Sequence, residues 1–407
     1  MNKIYEIYGT AGRLLFEEEN VCDYRPGGYH PVALLDTFQH GRYQVHNKLG
    51  FGGFSTVWLA WDFRLEQWVS IKILTAERSR DTREVDSLRR LMEMNCSHVV
   101  HLLDEFVHEG PNGFHQCLVL ELLGPTINMI VDDSYHDDDG LETDDILRLT
   151  KRLLAAVAYL HDVGLAHGDL SPRNIAFSAP RLSRLCKPDL FKILGEPETE
   201  CLVRLDGSDL GRSVPSYLVQ SVQWPGWPDG DMESNSEGDS DSDDEDGDPM
   251  FEEIRLIDLS EAFAKDIKSV QVAQPRGLQA PESVFQDSLD YKSDLWRAGI
   301  VIYYLTFGGM PFMWDGLDSL AASIITFTGH LPPEWRPSWQ SLRKASTDRF
   351  VLSISEQGDV CDSTLERKSI LHKDDVVLKS IISVIRGLMK LAPSERISAS
   401  EALQMLR

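Results

Sequence analysis

H-G-D-L-S-P-R-N at residues 167–174 is the stretch from which the rest of the chain can be read. It sets an acid, Asp169, five positions ahead of an amide, Asn174, directly after a long amphipathic run. A loop with that spacing can offer a carboxylate to a substrate hydroxyl and an amide oxygen to a magnesium ion, which is what phosphoryl transfer from a nucleotide requires. An Asp and an Asn in a loop can also do no more than cap a turn, so the weight falls on what surrounds them.

A second acid arrives in R-L-I-D-L-S-E-A-F (255–263), where an apolar strand ends at Asp258. With Asn174 it makes an oxygen pair suited to a metal shared with phosphates. Upstream, K-L-G-F-G-G-F-S-T-V-W-L-A (48–60) and W-V-S-I-K-I-L (68–74) read as strands joined by a turn at 62–66. Gly50 and Gly52 would let backbone N–H groups approach phosphates, although two glycines in a hairpin are by themselves ordinary turn residues; Ser55 holds the place of a third glycine. Lys72 is a lone cation in an apolar strand, costly to bury unless it meets a phosphate or a carboxylate. The alternative is a lysine snorkelling from an edge strand. Glu84 is the expected partner, because it shares the stripe of Leu88 on a helix expected over 78–94, whereas Glu77 precedes that helix and Glu93 ends it. A-P-E at 280–282 and S-D-L-W at 293–296 follow, with Arg396 placed to pair with Glu282.

Residues 1–42 form an N-terminal extension, punctuated by R-P-G-G-Y-H-P at 25–31. Residues 43–123 are rich in strand pattern. After Gly124-Pro125 the period shifts to 3.6, with Ile146, Leu149, Leu153, Leu154, Val157 and Leu160 on one long helix ending near Gly164, and helical patterning returns at 293–307, 374–391 and 397–403. The expected class is α+β and bilobal: a small antiparallel β-rich lobe over 43–123 and a mainly helical lobe over 124–407. Within the latter, 178–250 is a proline-rich insertion whose composition predicts too little apolar burial to order itself, with 229–250 disordered. Ser242, followed by Asp243, Asp244 and Glu245, reads as an acceptor for acidophilic kinases or as part of an inert acidic spacer.

The chain of 407 residues is 42% apolar and carries a net charge of −25. Asp231 to Asp248 hold ten acids and no Lys or Arg, so −15 lies elsewhere. A nucleic-acid binder wants a basic face, whereas this charge favours basic partners or plain solubility. Six cysteines form no C-x-x-C pair, which suggests neither zinc nor redox chemistry and fits reduced intracellular thiols. The longest apolar stretch, Ala298 to Phe307, is about half of the roughly 20 residues that cross a bilayer. A soluble protein, not secreted, is expected.

Taken with Y-H-P-V (29–32), G-P-N-G-F-H (110–115) and the insertion between loop and metal-binding strand, these motifs resemble the eukaryotic protein kinases over 41–407, and among them the serine/arginine-rich-protein kinases of the fungal-type branch. The resemblance implies ATP and Mg2+ as cofactors and transfer of the γ-phosphate to Ser or Thr of basic, Arg/Ser-rich proteins. It further implies Asp169, Arg173, Lys72 and Glu84 as catalytic residues and Asn174 and Asp258 on the metal. ATP would be contacted by Leu49, Gly50, Gly52, Ser55, Val57, Ser70, Lys72, Leu120, Glu121, Leu123 and Ala176, with Leu120 as gatekeeper and the hinge at Glu121 to Leu123. A monomer in cytoplasm, nucleus or both, without direct nucleic-acid or membrane binding, completes the expectation.

Several positions depart from the family pattern. Gly168 stands where many kinases have an arginine that reads activation-loop phosphorylation, which implies activity independent of that switch. Ser171 replaces the catalytic-loop lysine, and Arg173 is the nearby candidate to restore its charge. D-L-S replaces D-F-G, so Ser260 must do without glycine's tolerance of positive φ. Ser70 and Ala176 replace the usual Ala roof and Leu floor of the adenine pocket, a change worth about 1–3 kcal/mol of ATP affinity. Two other readings stay open: a pseudokinase-like binding or scaffold protein, and a small-molecule kinase with a similar loop.

Overall fold

A computed structural model of the chain describes residues 7–136, 140–224 and 253–407, apart from 269–271, 273–274, 287, 313–314, 361–362 and 373. The acidic run 231–248 and Ser242 lie outside the described residues. The chain divides into two compact units, residues 1–125 with 177–252, and residues 126–176 with 253–407.

The first unit is built on a six-stranded antiparallel sheet of β1 (Thr37–Phe38), β2 (Tyr43–Gly52), β3 (Ser55–Asp62), β4 (Gln67–Leu74), β5 (Leu102–Gly110) and β6 (Gly113–Glu121), in the order β1-β2-β3-β4-β6-β5. Strand β4, flanked on both sides, is buried from Trp68 to Leu74. Residues on both of its faces are buried, which explains its nearly unbroken apolar run. Helix α1 (Arg83–Glu93) buries Glu84, Val85, Leu88 and Leu91, while Met92 is exposed.

The N-terminal extension and the insertion belong to this unit. The insertion was expected not to order itself, yet residues 178–224 carry helix α2 (Lys187–Leu194) and a strand pair, Thr199–Cys201 with Tyr217–Val219. The reason is a shared core. Leu202, Val214 and Leu218 pack with Leu14, Leu15, Val21, Tyr24 and Tyr29, and Tyr8–Gly9 pairs with Val203–Arg204. Each large apolar side chain buried this way contributes on the order of 1.5–3 kcal/mol, which neither segment could gather alone. The Trp68 indole N–H donates to Leu185 O at 2.9 Å, and Val222 N donates to Lys48 O at 2.9 Å, fastening both ends of the insertion to the sheet.

The second unit is helical. Helix α3 (Thr143–Asp162) buries Ile146, Leu149, Leu153, Leu154, Val157 and Leu160 and ends before Gly164, whose φ of +79° is open to glycine at little cost. Helix α4 (Ser293–Phe307) is buried from Ser293 to Thr306, in keeping with apolar residues on all sides. Helix α5 (Val376–Leu388) packs Ile381, Ile382, Val384, Ile385 and Leu388 inward. No helix among the described residues is long and apolar enough to cross a membrane.

Candidate active site

In the first unit, Lys72 faces Val57 on β3 and Leu118 on β6. Its ammonium donates to Glu84 Oε1 at 2.7 Å and Oε2 at 2.9 Å, and both side chains are buried. A lysine inside an apolar strand thus has its counter-ion from α1. Gly50 and Gly52, at the end of β2, have open space where a Cβ would stand. Internal packing therefore does not demand glycine there, and the room suits a backbone approached by phosphates. The hairpin they form is held from outside the sheet: Tyr29 Oη donates to Gly52 O at 2.8 Å, and Asn112 Nδ2 donates to Tyr29 O at 2.6 Å and to Ser213 O at 2.8 Å. Lys48, fully buried just before the hairpin, is clasped by Glu18 at 2.8 Å and by Glu19. Ser55 and Ser70 are buried, as is the gatekeeper candidate Leu120, while Leu49, Val57, Glu121 and Leu123 are half-buried. The Ser70 hydroxyl is satisfied, donating to Glu121 O at 2.9 Å. The expected polar penalty is thereby relieved, and one lone pair of a hinge carbonyl is used up.

In the second unit, the loop holding Asp169 hangs from α4. His167 N and Gly168 N donate to Asp294 Oδ2 and Oδ1 at 2.7 and 3.0 Å, and His161 Nε2 lies 3.1 Å from Oδ2. Burial pushes the Asp294 carboxyl up, but His161 and the backbone donors outweigh it and hold it below the usual carboxylate range. Gly168 has φ +77°, and a Cβ there would meet Glu261 O at 2.2 Å, so the arginine of the family pattern has no room in this loop. The Asp169 carboxylate accepts from Asn174 Nδ2 at 2.9 Å on one oxygen and from Arg297 Nη1 at 2.8 Å on the other. It keeps about a fifth of its surface open, a side chain 22% exposed. Asn174 O accepts from Ile257 N at 2.9 Å, which sets Asn174 next in space to the strand that ends at Asp258.

Asp258 has φ +61°, and its carboxylate accepts from Ser260 N at 3.3 Å. Strain expected at Ser260 therefore falls on Asp258, because Leu259–Glu261 close into a 3-10 turn that Ser260 enters without positive φ. Arg173 is exposed and forms no hydrogen bond or ion pair among the described residues, so the charge expected from it reaches Asp169 from Arg297 instead. Ala176 is buried. The Arg396 guanidinium binds both Glu282 oxygens, Nη1 to Oε1 at 2.8 Å and Nη2 to Oε2, with both side chains almost sealed from solvent.

Sequence reading missed Arg297, Tyr29 and Asn112 as site residues. Arg297 carried a signal, a cation in an apolar helix that parallels Lys72 in its strand. Tyr29 and Asn112 sit in quoted motifs, but their bonds to each other cross 83 residues and leave no local pattern.

The protein kinase domain family matches residues 43–196. Protein kinase dsk1 of Schizosaccharomyces pombe is 41% identical over 167 residues, 39% of this chain and 30% of its own. Serine/threonine-protein kinase spk-1 of Caenorhabditis elegans is 36% identical over 220 residues, 51% of this chain and 21% of its own, and human SRSF protein kinase 3 is 36% identical over 179 residues, 42% and 31%. The chain thus spans about a fifth to a third of the length of these relatives. The crystal structure of a kinase domain aligns with a TM-score of 0.59 at 19% identity, covering 93% of this chain and 99% of that one, which speaks for the fold. The chain has the α+β fold of a protein kinase domain, and over 39–51% of its length its sequence is similar to SRPK-type protein kinases.

Proposed function

We propose that the chain transfers the γ-phosphoryl group of ATP, with Mg2+, to Ser or Thr hydroxyls of basic, Arg/Ser-rich proteins. The observation that carries this reading is Asp169: both its oxygens are held by donors, its loop is pinned to α4, and yet its carboxylate stays open to solvent. A carboxylate so placed can orient a hydroxyl and take up its proton. Lys72, fixed by Glu84, is poised for phosphate oxygens, and the open glycines Gly50 and Gly52 give phosphates room. Asn174 and Asp258 offer the few oxygens that magnesium takes from protein when phosphates and water supply the rest. The bound metal would neutralise charge developing on the phosphates.

Names of the relatives support the substrate class, since human SRSF protein kinase 3 is named for SRSF proteins. The chain's net charge of −25 agrees with a basic substrate. The buried Arg396–Glu282 pair braces the A-P-E segment that shapes a peptide site in protein kinases, which weighs against a small-molecule acceptor. We also propose that the protein works in cytoplasm, nucleus or both, as a monomer, without direct contact to nucleic acid or membrane. One observation favours a binding protein instead: Ser70 occupies a lone pair of Glu121 O, an acceptor that an adenine amine would use.

The test is radiolabel transfer from ATP, with magnesium, onto an Arg/Ser-repeat peptide, an acidic peptide and choline, by wild type and Asp169→Asn. Labelling of the Arg/Ser peptide that disappears in the variant is the expected result. Labelling of none of them, with no thermal stabilisation by ATP and magnesium, would establish the binding-protein reading.

A further inference from the structure

Helix α4 contains one cation among its buried residues, Arg297, and its side chain is fully closed to solvent. A guanidinium stays charged at any pH a protein meets, so its burial is tolerable only beside an anion. Nη1 donates to Asp169 Oδ1 at 2.8 Å and to Leu170 O at 3.3 Å. Nε and Nη2 are buried and have no partner among the described residues. The acid that compensates this charge is therefore Asp169 alone among the residues that Arg297 touches.

The same helix fixes the loop's backbone. Asp294, three positions earlier on α4, accepts from His167 N and Gly168 N. One turn of helix thus holds the main chain just before Asp169 and the carboxylate itself. Ser171 leaves the loop without its usual lysine, and Arg173 is exposed and makes no ion pair among the described residues. The cation comes from beneath the loop.

Building on the kinase reading, we propose that Arg297 is the positioning residue for Asp169, taking over from a catalytic-loop lysine the task of holding the base's carboxylate. Sealed in the helix, Arg297 cannot touch substrate or phosphate. It acts through Asp169, keeping Oδ1 bound so that the carboxylate keeps one orientation between Arg297 and Asn174. Misplacement of a reacting group by about 1 Å can cost about 100-fold in rate. Substrate binding does not pass through this contact.

Two measurements on the full chain test the proposal. In steady-state transfer to the Arg/Ser peptide, Arg297→Met is expected to lower kcat about 100-fold with KM for ATP and peptide within about twofold, and Arg297→Lys to recover part of the loss. In urea unfolding, which needs no activity, Asp169→Asn leaves the buried guanidinium uncompensated, so adding Arg297→Met to Asp169→Asn should raise stability although Arg297→Met alone lowers it. An unchanged kcat in Arg297→Met, or additive destabilisation in the double variant, overturns the proposal. If Arg297→Met does not fold alone, its recovery in the Asp169→Asn background supports the pairing, and failure to recover counts against it. If wild type labels no substrate, the kinase reading falls while the unfolding cycle still decides the pair.

Discussion

Each of the two units buries a cation in an apolar element, Lys72 in β4 and Arg297 in α4, and each cation meets a carboxylate from a different element. The pairs differ in how they are finished. Glu84 is only 4% exposed and binds Lys72 through both oxygens, whereas Asp169 is 22% exposed and gives Arg297 one oxygen, with Asn174 on the other. A closed pair anchors structure, because removing one member strands a charge out of reach of water. A half-open pair leaves a carboxylate able to meet another group, which is what a base needs.

The comparison predicts different losses of activity for two isosteric substitutions. Asp169→Asn is expected to remove essentially all transfer, at least about 1,000-fold, and to cost stability as well, because it leaves the sealed Arg297 guanidinium without its acid. Glu84→Gln is expected to cost about 3–5 kcal/mol of unfolding free energy and less activity than Asp169→Asn. Measuring kcat on both would break the distinction if Glu84→Gln lost as much transfer as Asp169→Asn. Glu282→Gln sharpens it further. Arg396–Glu282 is a closed pair with no role proposed in chemistry, so its loss should cost about 3–5 kcal/mol while kcat of the protein still folded stays within a few fold.

Lys72 and its partner were legible because a strand and a helix each have one period, and both residues break or follow it visibly. Arg297 breaks the pattern of α4 just as plainly. It was passed over because Arg173 lies four residues from Asp169 in sequence, while the true contact spans 128 residues. The insertion was illegible for a related reason. Leu202, Val214 and Leu218 are too few for a core, and the residues that complete it, Leu14, Leu15, Val21 and Tyr24, lie at the other end of the unit's sequence. Composition reports what a segment can bury by itself, not what another segment brings. The positive φ at Asp258 was likewise hidden, since D-L-S shows where glycine is missing but not where the turn will bend.

A third buried group, in the first unit, has no counter-ion among the described residues. His30 packs against His108 and His115, with ring centroids 4.6 and 5.1 Å away, and His108 faces His115 across β5 and β6. Burial, then the neighbouring His108 and His115, push His30 down to about 3, and burial lowers His108 and His115 as well, with Asp36 partly opposing at His108. The folded form binds fewer protons than the unfolded chain, so stability is full above the ordinary histidine value of about 6.5 and falls as pH drops below it. The slope for His30 alone is up to about 1.4 kcal/mol per pH unit. Urea unfolding at pH 7.5 and 5.5 should differ by about 1–2 kcal/mol, and His30→Phe should flatten part of that dependence; equal slopes in both proteins would remove His30 as the cause.

The smallest effect concerns a neutral bond beside the closed pair. Ser70 lies two residues before Lys72 on β4 and donates to Glu121 O rather than to any charge. Replacing it by alanine frees that carbonyl for an incoming adenine amine and removes a hydroxyl from the roof of the expected base site. A neutral hydrogen bond is worth about 0.5–1.5 kcal/mol net, so KM for ATP should fall roughly two- to tenfold in Ser70→Ala with kcat nearly unchanged, because Lys72 and Glu84 do not move. A raised KM would mean that the Ser70 bond instead holds the hinge strand in the conformation that ATP needs. The closed pair would then depend on its neutral neighbour, and the contrast between anchoring and reacting groups would extend to uncharged contacts.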